Sequence, residues 1–212
     1  MADDPAKIRP YRSADLDDLY RICLQTAAEG QDATALFSDP MLPGHVFAAP
    51  YGIFEPSLAW VAEDSAGVAG YVLGALDTRA FEETLERDWW PALRAKYPEP
   101  AQVTAAVSEL ELFTLQAIHQ PFRTDPALVS RYQSHLHIDL LPRLQGRGFG
   151  RRLIETLLAA LRVGGSSGVH LHVGRGNQRA VEFYRHVGLT ELPAVGGARV
   201  FVMQFAEQTP LK

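Results

Sequence analysis

The hydrophobic pattern of this chain changes period several times, and each change marks an element. Residues 7–11 (KIRPY) read as a short edge strand, since Pro10 has no amide to give a central ladder. In residues 13–30, Leu16, Leu19, Tyr20, Cys23 and Leu24 recur at spacings of three and four, which predicts a helix with one buried face. Ser13 is placed as its N-cap, acids crowd its first turns and Gly30 follows its end. Residues 31–57 carry four prolines among several aromatics and predict a loop with one short helix. SLAWVAED and GVAGYVLGALD, joined across Ser65–Gly67, predict a β-hairpin.

Residues 78–133 return to a helical period. TRAFEETLERDWWPALRAKYP and AQVTAAVSELELFTLQAIH, separated by PEP, predict a helical insert within one domain spanning 1–212. Trp89 and Trp90 sit at helical spacing, which favours a place in the core over a pocket wall. SHLHIDLL (134–141) alternates as a strand and is closed by Pro142. A helix to about Arg162 and a second strand, VHLHV (169–173), complete a βαβ unit, so these two strands should be parallel. NQRAVEFYRHVGL is a helix stopped by Gly188, and RVFVMQF (199–205) is a last strand.

Composition adds little to this picture. The 212 residues are enough for one sizeable core, and 47% apolar with 21% charged is ordinary for a globular chain. A net charge of −5 argues against a nucleic-acid partner and leans toward a cationic substrate. The single cysteine, Cys23, admits no intrachain disulfide and fits a reducing, cytoplasmic setting. No apolar run is long enough to predict a membrane partner. Nothing in the pattern sets the oligomeric state.

The chemistry concentrates in LQGRGFGRRLIETLLAALR (144–162), where glycines open directly into a helix. A helix N-terminus offers unpaired N–H groups, and glycines before it let a phosphate come close to the backbone. Arg147, Arg151 and Arg152 add positive charge. The P-loop string GxxxxGK[ST] is absent, and the dinucleotide fingerprint GxGxxG would need glycine where Arg151 stands. Four histidines form two HxH pairs, His135/His137 and His170/His172, which raises a zinc reading. Alternation of polar residues on a half-exposed face explains them more simply, and no metal is expected.

Gln145-Gly146-Arg147-Gly148-Phe149-Gly150 fits [QR]xxGx[GA], and here the chain resembles the GNAT superfamily of N-acetyltransferases. IDLLPRLQGRGFGRRLIETLL, HVGRGNQRAVEFYRHVGL and the opening IRPYRSADLDDLYRI are similar to three family blocks in the same order. SHLHIDLLP with RAVEFYRHVGL is similar to the acetyltransferase-like domain associated with O-GlcNAcases and to its free-standing bacterial relatives. The resemblance implies an α/β fold: a mixed twisted sheet of about six or seven strands with helices on both faces. It also implies acetyl-CoA as co-substrate and a primary amine as acceptor, with direct attack in a ternary complex.

By the same resemblance, backbone N–H groups from Gln145 to Arg151, through Gly146, Arg147, Gly148, Phe149 and Gly150, hold the pyrophosphate. Leu140 and Leu141 pair with the pantetheine arm, Asn177 touches the cofactor, and Tyr184 is the general acid for the departing thiolate. The base is less defined. Alternation puts His135, His137 and Asp139 on one strand face. Asp139 leads for base or substrate work, His137 follows, Glu109 and Glu111 lie further off, and water is an alternative to all of them. Two rivals stand beside the enzyme: a non-catalytic acetyl-CoA-binding module, and a nucleotide-binding module.

Overall fold

The computed structural model describes residues 6–104, 106–193 and 198–206. Its centre is a seven-stranded mixed sheet in the order β1-β2-β3-β4-β5-β7-β6. The strands are β1 (Lys7–Pro10), β2 (Ala59–Asp64), β3 (Gly67–Ala75), β4 (Ser134–Leu140), β5 (Gly168–Gly174), β6 (Thr190–Glu191) and β7 (Ala198–Gln204). β1 is an edge strand, as Pro10 requires, and β2 and β3 form the expected hairpin. The βαβ prediction also holds, since β4 and β5 are parallel. The two-residue β6 was not foreseen; it pairs only Thr190 and Glu191 with β7.

The helices are α1 (Leu16–Leu24), α2 (Leu42–Phe47), α3 (Ala49–Phe54), α4 (Thr78–Asp88), α5 (Trp90–Lys96), α6 (Glu109–His119), α7 (Pro126–Arg131), α8 (Phe149–Val163) and α9 (Gln178–His186). α8 buries Phe149, Leu153, Ile154, Leu157, Leu158 and Leu161 against one face of the sheet. Gly74 on β3 makes that approach possible, because a Cβ there would stand 2.7 Å from Leu157. α9 packs on the same face through Tyr184, whose ring meets Phe201 of β7. α1 covers the opposite face, where Tyr71 lies.

Several local expectations need correction. Ser13 lies inside a 3-10 turn (Ser13–Asp15) rather than capping a helix. The buried Asp15 precedes α1 and makes no side-chain cap to it; its carboxylate reaches back to accept from the Arg12 amide at 2.8 Å, and from the Arg9 guanidinium at 2.7 and 2.8 Å. α1 stops at Leu24, well short of Gly30, with Gln25 at its C-cap (φ −74°, ψ 2°), and the chain turns left-handed only later, at Glu29 (φ 54°) and Gly30 (φ 87°). Residues 31–57 hold two short helices, α2 and α3, with a proline in the first turn of each. In 78–133 the first helical stretch divides at Trp89, before Pro91, and the second begins only at Glu109, where Ser108 caps. Trp90 is a core residue, as its spacing indicated.

Candidate active site

The site arises from how two strands part. β4 and β5 pair in register only at Ser134–Val169 and His135–His170. Beyond those pairs both strands continue without a ladder between them, so a gap opens toward their C-terminal ends. Alternation along β4 assigns its backbone groups. The Leu141 amide donates to Ala69 O at 2.8 Å, toward β3. The neighbouring Leu140 therefore turns its amide toward the gap. Gly70 faces Leu140 across β3, and a Cβ there would press on Leu140 Cγ at 2.9 Å and Asp139 O at 3.0 Å.

A cavity of about 420 Å³ runs through this gap. One wall is the turn into α8. Gly146 (φ 70°) and Gly148 (φ 80°) are left-handed, and neither would meet another atom if given a Cβ, so their faces are open. Among the described residues, the amides of Gly146 through Arg151 have no intrachain acceptor, while Arg152 N already bonds Gly148 O at 3.2 Å. Those amides and the positive helix end form an anion cradle. Gly150 is a contact glycine, because a Cβ would lie 3.1 Å from the Phe183 ring.

The predicted residues divide in their placement. Leu140, Gln145, Gly146, Gly148, Gly150, Arg151, Asn177, Tyr184 and Asp139 all line the cavity. Leu141 does not: its side chain is buried, and its carbonyl accepts from Leu144 N at 3.0 Å, so both of its backbone groups are spent. Phe149 is buried beneath the turn, with the guanidinium of Arg152 5.0 Å from its ring centroid. Arg147 reaches Arg143 O at 3.2 Å and lies over the same ring. Gln145 Nε2 donates to Leu140 O at 2.7 Å, tying the cradle to the gap. Asn177 caps α9 by accepting from Ala180 N at 3.0 Å, which leaves its amide nitrogen for the cavity.

Tyr184 is buried and comes from the α8–α9 face of the sheet. Its hydroxyl has no protein partner among the described residues. Burial first, and then the charge of Asp139, pushes its ionisation well above the usual phenol range, so it keeps its proton. Asp139 comes from the opposite face. Its Oδ2 accepts from Tyr71 Oη at 2.5 Å and lies 3.2 Å from His137 Nε2. A proton-holding phenol from one face and a carboxylate from the other therefore both line the cavity, while His137 does not line it and stands behind Asp139.

The remaining candidates have structural roles. Glu111 is buried, accepts from the Ser38 amide at 3.1 Å and also holds the Ser38 hydroxyl. Glu109 opens α6 and does not line the cavity. Both ring nitrogens of His135 are committed, to Thr78 Oγ1 at 2.8 Å and Tyr51 Oη at 2.9 Å. His170 Nδ1 bonds Tyr132 O at 2.8 Å.

Sequence reasoning missed the third wall, Thr26, Glu29, Gly30 and Gln31. Glu29 reaches across to accept from Gly176 N at 3.1 Å, and its carboxylate fills the space beside Gly176 where a Cβ would sit. No local pattern announces this clasp; only the unexpected early end of α1 does. Tyr71 was missed for a similar reason, since it meets Asp139 only once β3 and β4 are paired in register.

This arrangement can be set beside known proteins. Residues 121–189, from just before α7 to just after α9, match the Acetyltransferase (GNAT) family. Protein O-GlcNAcase of Rattus norvegicus and that of Mus musculus are each 27% identical over 192 residues, covering 90% of this chain. The chain spans about a fifth of the length of these curated relatives, at 20%. The crystal structure of SsHAT is 39% identical and superimposes with a TM-score of 0.86, covering 95% of this chain and 99% of that one. The structure of yncA, a putative acetyltransferase from Salmonella typhimurium with its cofactor acetyl-CoA, shares the fold at 16% identity and TM-score 0.54, covering 96% and 95%.

Proposed function

This chain belongs to the acetyltransferase (GNAT) family, and on that premise we propose that it moves an acetyl group from acetyl-CoA to a primary amine by direct attack in a ternary complex. The observation that carries the reading is the gap between β4 and β5, with the amide cradle of 146–151 at one end and Tyr184 and Asp139 facing each other within it. The cradle and its flanking arginines fit a pyrophosphate. The free Leu140 amide fits the pantetheine arm or the carbonyl oxygen. A metal takes no part in this reading, and a cytoplasmic setting without a nucleic-acid partner is consistent with the single cysteine and the acidic balance.

The steps follow from where each group stands. An amine reaches the site mostly as ammonium and must lose a proton to expose its lone pair. Asp139, backed by His137, receives that proton. The amine nitrogen then bonds to the thioester carbonyl carbon, and the charge that develops on oxygen is met by backbone N–H groups near Leu140. Collapse breaks the C–S bond. The departing thiolate takes a hydrogen bond or a proton from Tyr184, whose buried phenol is held protonated until then. Asp139 passes the first proton to solvent and then takes the second by the same route, a proton from solvent restores the Tyr184 phenol, and the products are an amide, the free thiol and one net proton released. Positioning the two reactants in one gap supplies much of the rate.

Tyr184→Phe tests this directly. Turnover should fall by about a hundredfold, the usual worth of a placed acid, while the affinity for acetyl-CoA measured by calorimetry stays within about twofold. Unchanged turnover in the variant removes Tyr184 from the mechanism. A second reading, a non-catalytic acetyl-CoA-binding module, draws on the curated relatives, which are named for O-GlcNAc removal rather than acetyl transfer. It prevails if acetyl-CoA binds but a broad panel of amines, peptides and amino sugars releases no thiol.

A further inference from the structure

Asp139 is half-buried at the open end of β4. It stands on β4 beyond the last pair that β4 makes with β5, so one side of its strand has no neighbour. The groups that hold its carboxylate in place come from β3 and from its own strand. Tyr71 is its cross-strand partner on β3, is fully buried at 0% exposure, and does not line the cavity. Its hydroxyl donates to Asp139 Oδ2 at 2.5 Å. The same ring lies at 25° to the His137 imidazole with centroids 6.4 Å apart, and Phe47 stacks at 13° and 6.1 Å. His137 Nε2 meets the same oxygen, Oδ2, at 3.2 Å. Oδ1 has no protein partner among the described residues.

We infer that Tyr71 is the positioning residue of this reaction: by pinning Oδ2 to β3 and supporting the His137 ring, it leaves Oδ1 as the one carboxylate oxygen free to receive the acceptor's proton. The inference rests on the acetyl-transfer reading and deepens it. A buried tyrosine hydroxyl needs a partner wherever it lies, so packing alone would explain the bond. It would not explain why the partner is the cavity carboxylate at the splayed end of β4. The titratable groups around Asp139 are Tyr71 from β3, His137 from its own strand, Tyr184 from α9 and Cys23 from α1; His135 adds to the field at His137. Burial raises the ionisation of Tyr71, Tyr184 and Cys23, which keeps all three protonated near neutrality.

The test is Tyr71→Phe, which deletes one oxygen and keeps the ring. With an acceptor that the parent acetylates, kcat should fall about tenfold, as for loss of one hydrogen bond to a charged group. The affinity for acetyl-CoA should stay within about twofold. In an Asp139→Asn background the same change should add almost nothing, because the two residues act as one unit. An unchanged kcat, or an equal loss in the Asp139→Asn background, overturns the inference.

A second measurement needs neither turnover nor the variant's folding. In the parent, the Tyr71 hydroxyl proton should appear in NMR as a slowly exchanging downfield resonance that Asp139→Asn displaces. Its absence from the parent overturns the pinning. A parent that acetylates no acceptor yet shows this proton defeats the transfer reading, and with it Tyr71's part in a reaction, while the bond itself stands.

Discussion

The two sides of the cavity are assembled by different means. The donor side is one continuous stretch: the end of β4, the glycine turn and the start of α8, with residues 140–151 in sequence order. The acceptor side is gathered from afar. Asp139 and Tyr71 are 68 residues apart, and the clasp that ties this side to the other, Glu29 to Gly176, spans 147. A cradle of backbone amides can be written locally, because glycine conformations and a helix end suffice. A carboxylate held by a buried phenol cannot, because it exists only after strands pair. The difference predicts that each side can be damaged without the other.

The largest effect should come from acid, and it should strike the sheet face that carries Asp139 and Tyr71. The helices of 78–133 are tied to the sheet by buried neutral histidines: His135 bonds Thr78 of α4, and His170 bonds Tyr132 just after α7. Burial lowers His135 to about 3 and His170 to about 4. An unfolded histidine titrates near 6.5, so between that value and about 4 the unfolded chain binds more protons than the folded one. Stability is then full above about pH 6.5 and is lost as pH falls. The slope is at most about 1.4 kcal/mol per pH unit for each histidine, or up to about 4 kcal/mol for both at pH 5. The carboxylates held low by partners, such as Asp15 and Glu63, lose their own contribution only as pH falls through the ordinary carboxylate range and below it. Urea unfolding at pH 7 and pH 5 measures the loss. Hydrogen exchange, corrected for pH, should show Thr78 and Tyr132 loosening before α8. Uniform loosening of both regions would break the comparison.

The donor side should fail next, and alone. Gly148→Val puts a β-branched side chain at φ 80°, where a left-handed residue costs about 1–2 kcal/mol. The bound form of the turn has to meet that cost, so the affinity for acetyl-CoA should weaken by roughly five- to thirtyfold. Turnover at saturating acetyl-CoA should stay within about twofold, because Asp139, His137 and Tyr184 are untouched. Calorimetry and steady-state kinetics separate the two. A fall in kcat at unchanged affinity would show that the cradle and the acid–base groups are one unit.

This division also explains how much could be read from the residues alone. The sheet, the hairpin, the βαβ unit and the cradle were legible because each rests on period or on a glycine at a helix start. The position of Tyr184 was legible only through resemblance; spacing by itself favoured a core tyrosine. Leu140 and Leu141 were both assigned to the pantetheine arm by the resemblance. A strand alternates its backbone groups as well as its side chains, so only one of the two can face the opening, and β3 takes the Leu141 amide. The early end of α1 was hidden for a different reason. The amphipathic period runs out at Leu24, and the turn after it is shaped by a contact with Gly176 that no local window contains.

That contact gives the smallest effect and the sharpest test of separability, because the Glu29 clasp joins the two sides. Gly176→Ala would bring a Cβ to 2.4–2.8 Å from the Glu29 carboxylate. The carboxylate is the far end of a flexible side chain and can swing away, so the fold should be nearly unaffected, within about 0.5 kcal/mol. The 26–31 turn would then lose its tie across the cavity. The carboxylate bond spans two exposed turns, and its loss is worth about 1 kcal/mol or less. Dissociation of acetyl-CoA, followed by stopped flow, should quicken by a few-fold, with association little changed, since a closed strap chiefly delays escape. Glu29→Gln keeps the reach of the side chain but weakens the acceptor, and should fall between parent and Gly176→Ala. If both variants release acetyl-CoA at the parental rate, the turn is only a wall, and the two sides of the cavity are joined by nothing except the sheet beneath them.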